Sequence, residues 1–183
     1  MPRDVARYVA LLRGINVGGK QLVKMTELKA RLEEDGLEDV VTYIQSGNVL
    51  FSAASPAEAL ARRIEQVLTD AFGCRSLAVV LNRTQMQRIV THAPDGFGGQ
   101  PAKYRYDVIY LKAPLAARAA LPAIPANPDV DAVSAGPGVV YFSRLISGAS
   151  RSRLSKITGL AVYQSVTIRN WNTTTKLLDM MSA

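Results

Sequence analysis

Two β-rich runs, Val40–Gln45 and Asn48–Phe51, are separated only by Ser46-Gly47. So short a break between strand-forming runs predicts a tight hairpin, which makes these two strands antiparallel neighbours. The first half of the chain is ordered around this constraint. Tyr8–Leu12 is a short, nearly continuous apolar run, the pattern of a central strand buried on both faces. Met25, Leu28 and Leu32 recur at helical spacing, and Gly36 supplies a stop. After the hairpin, Ser55-Pro56-Ala57-Glu58 predicts a helix with Ser55 at the N-cap, Pro56 at the first helical position and Glu58 completing a capping box. Leu60, Ile64, Val67, Leu68 and Phe72 share one face of it before Gly73. Leu77–Leu81 is the next strand. The order strand, helix, strand, strand, helix, strand is that of the ferredoxin-like split βαβ unit.

The second half repeats this order less regularly. Arg83–Val90 reads as a helix capped by Asn82 or Thr84, and Asp95–Pro101 as a glycine-rich boundary loop. Tyr106–Leu111 predicts a strand and Pro114–Leu121 a short alanine-rich helix. The prolines of 122–128 exclude regular helix or central strand there. Val130–Ser134 and Val139–Phe142 flank Gly136-Pro137-Gly138 as a second hairpin. Val162–Ile168 is a strand, and a last helix runs from about Thr173 to Met181, capped by Asn172 or Thr173. The prediction is an α+β protein of two ferredoxin-like (split βαβ) halves, with largely antiparallel sheets and helices packed on them. Residues 1–94 form a subdomain carrying the glycine-rich loop, and residues 95–183 a second, more basic one.

Hydrophobic residues make up 48% of the 183 and charged residues 20%, the balance of a soluble globular protein. No apolar run approaches the roughly 20 residues that span a bilayer. The N-terminus lacks a signal-peptide core, so a cytoplasmic location with no membrane partner is expected. One cysteine, Cys74, excludes an internal disulfide, and with a single histidine, His92, no metal cluster or cofactor is assigned. Cys74 reads as a small semi-buried hydrophobe and His92 as a surface or capping residue. The net charge of +7 is uneven: residues 1–99 hold 12 Lys and Arg against 11 Asp and Glu, and residues 100–183 hold 10 against 4. That excess suits an anionic partner, whether a phosphorylated metabolite, a nucleotide or a nucleic acid.

Between the first strand and first helix lies Arg13-Gly-Ile-Asn-Val-Gly-Gly-Lys-Gln21, a phosphate-binding P-loop pattern with one position wrong. A P-loop needs a Ser or Thr after its Lys to hold magnesium, and a helix that starts there with its amides facing the phosphates. Here Gln21 follows Lys20, and the helix begins near Met25 or Thr26, so nucleotide hydrolysis by this loop is not expected. Gly14, Gly18 and Gly19 still permit close backbone approach to an anion, with Arg13 and Lys20 supplying charge and Asn16 a polar amide. The other reading is a tight turn in which Asn16 bonds its own backbone. In the split βαβ topology this loop lies at the same end of the sheet as the hairpin, which adds Ser46 and Asn48 to the candidate ligand residues. At the other end of the chain, Arg169 and Asn170 precede a helix start, a natural anion position. Trp171 reads as a packing anchor. Residues 143–156 carry four positive charges and no acid, suiting either phosphate contacts or a solvated arm.

The leading expectation is a binding protein for a phosphate-bearing ligand, nucleic acid or nucleotide. An enzyme acting on a small anionic metabolite is the first alternative, with Lys20 as its only candidate base. A ligand-free structural or dimerisation module is the second, and the oligomeric state is left open. The blocks "YVALLRGINVGGK", "KMTELKARLEEDG", "TYIQSGNVLF" and "TIRNWNTTTKLLDM" together bracket the chain. In them the chain resembles the bacterial family named domain of unknown function 1697, although that family has Asn where this chain has Gln21. The resemblance implies a duplicated ferredoxin-like α+β fold and no particular reaction, cofactor or substrate.

Overall fold

The computed structural model describes residues 4–16 and 22–183. Their contacts fall into two compact units, one of residues up to Met86 together with Leu177–Ala183, the other of Gln87–Lys176. In the first unit β1 (Ala6–Leu12), α1 (Met25–Glu34), β2 (Glu38–Tyr43), β3 (Asn48–Ala53), α2 (Ala57–Phe72) and β4 (Ala78–Asn82) follow in turn. The sheet order is β2-β3-β1-β4 with every neighbouring pair antiparallel. β1 and β2 therefore run parallel with β3 between them, as a split βαβ unit requires. Leu28 and Leu32 of α1 and Leu60, Ile64 and Leu68 of α2 share one core with Leu12, Phe51 and Val80 of the sheet. Burying each large side chain contributes roughly 1.5–3 kcal/mol. Val9, Leu11 and Leu50, on the opposite sheet face, are also fully buried, so β1 is a two-sided strand, as its continuous apolar run predicts.

The capping box expected at α2 is not formed. Pro56, at φ −62° and ψ 147°, occupies the N-cap without any side-chain cap. Its carbonyl accepts the Leu60 N–H at 3.1 Å, while the Ser55 carbonyl accepts the Tyr8 hydroxyl at 3.1 Å, which leaves Ser55 one residue outside the helix. The far end closes as predicted: Gly73 is left-handed (φ 62°), and Cys74 N–H reaches back to Leu68 O at 3.1 Å. A reciprocal box does form at α3 (Arg83–Thr91), where Asn82 Oδ1 accepts from Gln85 N–H and Gln85 Oε1 from Asn82 N–H, both at 2.9 Å. Asn82→Ala is expected to lower stability by about 1 kcal/mol. Urea unfolding should show it as a lower midpoint with an unchanged slope; an unchanged midpoint would mean that the cap contributes nothing.

The second unit contains β5 (Tyr104–Leu111), α4 (Ala117–Ala120), β6 (Asp131–Gly136), β7 (Val139–Leu145), β8 (Val166–Asn170) and the start of α5 (Trp171–Met181). Its antiparallel sheet has the order β6-β7-β5-β8, matching the first with β5 in the place of β1. Where the first unit has α2, this one has three 3₁₀ stretches, Ile146–Arg151, Leu154–Gly159 and Ala161–Ser165. Gly148, Gly159 and the many hydroxyl residues are poor material for a longer helix. The basic segment is therefore anchored structure and not a solvated arm. Leu154 and Ile157 enter the core with Ile109, Val140 and Phe142, and buried Asp131 accepts the Arg153 N–H at 3.0 Å and the Asn127 N–H at 2.8 Å.

The last helix starts at Trp171, two residues earlier than expected, and its cap is neither Asn172 nor Thr173. Asn170 Oδ1 accepts the Thr173 N–H at 2.8 Å. Pairing with β5 carries β8 to Asn170 opposite Asp107, so the chain turns directly from strand into helix. Burial of Thr173, Thr174 and Leu177 outweighs the weak helix preference of Trp-Asn-Thr-Thr-Thr. Among the described residues no helix is long and apolar enough to cross a membrane, and no three His, Cys, Asp or Glu side chains gather as metal ligands would.

Candidate functional site

The loop leaving β1 and the β2–β3 hairpin interlock at one end of the first sheet. Leu12 N–H donates to Gly47 O at 2.9 Å. Gly47 has φ +87°, and a Cβ there would lie 2.8 Å from Ile15 Cδ1 and 2.9 Å from Leu12 Cβ. Asn16 fastens the two loops together. Its Nδ2 donates to Val23 O at 2.9 Å and Gln45 O at 3.0 Å, and its Oδ1 accepts the Val23 N–H at 2.7 Å. Its φ of 56° is a left-handed conformation that Asn adopts more readily than most residues. Residues 16 and 23 are thus held together beside the hairpin. Between them in sequence stand Gly18, Gly19 and Lys20, expected ligand residues that lie outside the described residues. Gly14 is also left-handed, at φ +75°.

Arg13, half-buried, stands at the end of β1. Its N–H donates to Leu77 O at 2.9 Å, and its carbonyl accepts the Ser76 hydroxyl at 2.6 Å. Asn48 is buried and donates through Nδ2 to Tyr43 O at 3.0 Å and Ser46 Oγ at 3.2 Å. Asn16, Ser46 and Asn48 therefore shape the loops, while Arg13 brings charge to them. α1 begins at Met25 without a side-chain cap, and not directly after the Lys as a P-loop helix does.

Arg169 and Asn170 belong to the second unit. Arg169 is 8% exposed. Its Nη1 donates to Thr167 Oγ1 at 3.0 Å and Ile168 O at 2.8 Å. Burial pulls its pKa down to about 10 against the opposing pull of nearby Tyr110, so it stays charged at neutral pH. Tyr110 shares a buried 2.8 Å hydrogen bond with Thr174, and burial pushes its phenol well above the usual range. Asn170 spends its carbonyl on the helix cap. His92 is exposed, its Nδ1 2.9 Å from Arg88 O at the end of α3. Burial pushes the Cys74 thiol up, which disfavours the reactive thiolate.

The feature that sequence reasoning missed is an open cavity of about 380 Å³ in the second unit. Tyr104 and Tyr106 of β5, Tyr141 of β7 and Phe97 of the preceding loop wall it. Phe97 meets three rings edge-on, with centroids 4.9 Å from Tyr106, 5.4 Å from Tyr141 and 5.1 Å from Trp171. Trp171 is the packing anchor expected of it: a Cβ on Gly98 would lie 2.3 Å from its Nε1. The Tyr106 hydroxyl accepts the Gln100 N–H at 3.1 Å, and the Tyr141 hydroxyl donates to Ile89 O at 2.7 Å. Lys103 holds its Nζ 5.3 Å from the centre of the Tyr104 ring. Another depression, between α1 and α2, has both of its arginines already paired, Arg31 with Glu34 at 3.0 Å and Arg63 with Asp35 at 2.9 Å.

The model of the family described as "Protein of unknown function (DUF1697)" matches residues 5–141. A solved structure of a conserved bacterial protein from Streptococcus pneumoniae is similar at 25% identity and a TM-score of 0.83, over 97% of this chain and 99% of that one. No curated protein matches the chain.

Proposed function

The chain belongs to the DUF1697 family, and since that membership carries no activity with it, we propose from its own residues that it is a cytoplasmic binding protein for a phosphate-bearing ligand, with nucleic acid or a nucleotide as the ligand class. One observation carries this reading. In the second unit, exposed Lys103, Arg118, Arg151 and Lys156 have no carboxylate at ion-pair distance among the described residues. Like charge left unneutralised on a folded surface disfavours the compact state by self-repulsion and attracts polyanions. The glycine-rich loop adds Arg13, Lys20 and backbone amides in the first unit, and Arg169 is a buried cation in the second.

The test is fluorescence anisotropy with labelled single-stranded RNA, single-stranded DNA and nucleotides at low and high salt. Binding should be strong at low salt and fall steeply as salt rises, since each phosphate contact releases counterions. Absence of binding at low salt defeats the proposal. Arg13→Ala should weaken binding about threefold to tenfold and reduce the salt slope by about one, as expected for loss of a single phosphate contact.

A further inference from the structure

We propose that the tyrosine-walled cavity of the second unit seats one unpaired base of a single-stranded nucleic acid, an inference that rests on the ligand class proposed above. β5 and β7 are the two central strands of the sheet β6-β7-β5-β8. A four-stranded antiparallel sheet presenting aromatic side chains from its central strands is an established platform for stacking unpaired bases. Tyr104 and Tyr106 project from one face of β5 because they stand two residues apart on a strand. Ser143 is paired opposite Tyr106 and lines the same cavity.

The cavity is built to stay open. Tyr106 and Tyr141 are tied by their hydroxyls to backbone atoms, and Phe97 wedges between them and Trp171. Gly136 clears the space that the Tyr141 ring occupies, since a Cβ there would lie 2.3 Å from Tyr141 Cε2. Tyr104 is the ring least committed to this packing: it is half-buried, and its centroid is 6.1 Å from that of Tyr106.

The volume of about 380 Å³ lies in the range of small-ligand pockets and accepts a base with its sugar. A base within a duplex has both faces stacked and cannot enter, so the site selects single strands. Asp95, Gln100, Ser134 and Ser143 give the lining hydrogen-bonding groups of both kinds for a base edge. The carboxylate of Asp95 repels phosphate but accepts from a base amino group. Exposed Lys103 beside Tyr104 supplies the charge for the neighbouring phosphate. The unneutralised Lys and Arg side chains of the same unit favour a strand with many phosphates over a mononucleotide.

The deciding experiment compares a labelled 12-nucleotide oligocytidine with a labelled abasic sugar–phosphate oligomer of equal length, both titrated with the full chain at low salt. The base-bearing strand should bind about tenfold or more tightly than the abasic one, the scale of a single stacking contact. Tyr104→Ala should bring oligocytidine down to the abasic level with an unchanged salt slope, while Tyr104→Phe keeps the affinity. Ala132 is exposed and lines the same cavity from the edge strand β6. Ala132→Leu fills the space from there with little risk to folding, and should act like Tyr104→Ala. If both oligomers bind equally and the cavity variants change nothing, the base site is wrong while phosphate binding stands. If neither oligomer binds, the broader reading falls with it. Displacement of the oligomer by cytidine monophosphate at comparable concentration would overturn the assignment to single strands.

Discussion

Gly47→Ala is expected to destabilise the protein by about 3 kcal/mol. A methyl group 2.8 Å from Ile15 and 2.9 Å from Leu12 must displace two buried side chains, and overpacking of this kind costs about 1–3 kcal/mol. Forcing a Cβ into the left-handed backbone at φ +87° adds about 1–2 kcal/mol. Gly14→Ala is the matched control, because Gly14 has φ +75° but nothing within 4 Å of its would-be Cβ among the described residues. It bears only the backbone term, about 1–2 kcal/mol. Equilibrium unfolding in urea separates the two. Equal losses would show that Ile15 moves aside freely and that the interlock of the two loops is loose.

Asn16→Ala should cost about 2–3 kcal/mol. It removes three hydrogen bonds to backbone groups, each with a net contribution of about 0.5–1.5 kcal/mol, and leaves the Val23 N–H without its acceptor. Asn16→Asp sharpens the test. A carboxylate still accepts from Val23 N–H but faces the carbonyl oxygens of Val23 and Gln45, which the amide had served as donor. Its folded-state pKa is therefore raised above the unfolded value of about 3.9. The folded state then binds more protons, so the stability of Asn16→Asp should fall as pH rises through the carboxylate range. A flat pH profile, or a loss for Asn16→Ala below about 0.5 kcal/mol, would mean that the side chain does not hold the loop closed.

What could be read in the sequence is what local chemistry dictates alone. Ser46-Gly47 allowed only a hairpin and Gly73 only a helix end, and Asn82 was one of the two caps open to the third helix, beside Thr84. The strand order of the first sheet followed, and with it the meeting of the β1 loop and the hairpin. Misreadings came where tertiary contacts override local preference. Trp171 and Asn172 read as preceding the last helix because they are weak helix formers, yet burial of Thr173, Thr174 and Leu177 draws the helix start back to Trp171. Residues 143–156 look like a basic arm because Leu154 and Ile157, which anchor the segment, are submerged among serines and arginines. The cavity was hidden for another reason. Phe97, Tyr104, Tyr106, Tyr141 and Trp171 are scattered along the chain, and only the β5–β7 register and the ring contacts of Phe97 gather them. Tyr104 and Tyr106, two apart at the start of β5, were the one visible sign.

Helix α5 has a dual membership. Its start belongs to the second unit, but Leu177–Ala183 is counted with the first, and Leu177, Leu178 and Met181 there are buried. A ribosome extends a chain at about 5–20 residues per second, and domains made first generally fold first. Here that order is broken. The unit that holds the first sheet receives Leu177, Leu178 and Met181 only after Gln87–Lys176 has been translated. Until those residues are made, that unit lacks three of its buried apolar side chains, so its folding is completed only after the second unit has been synthesised.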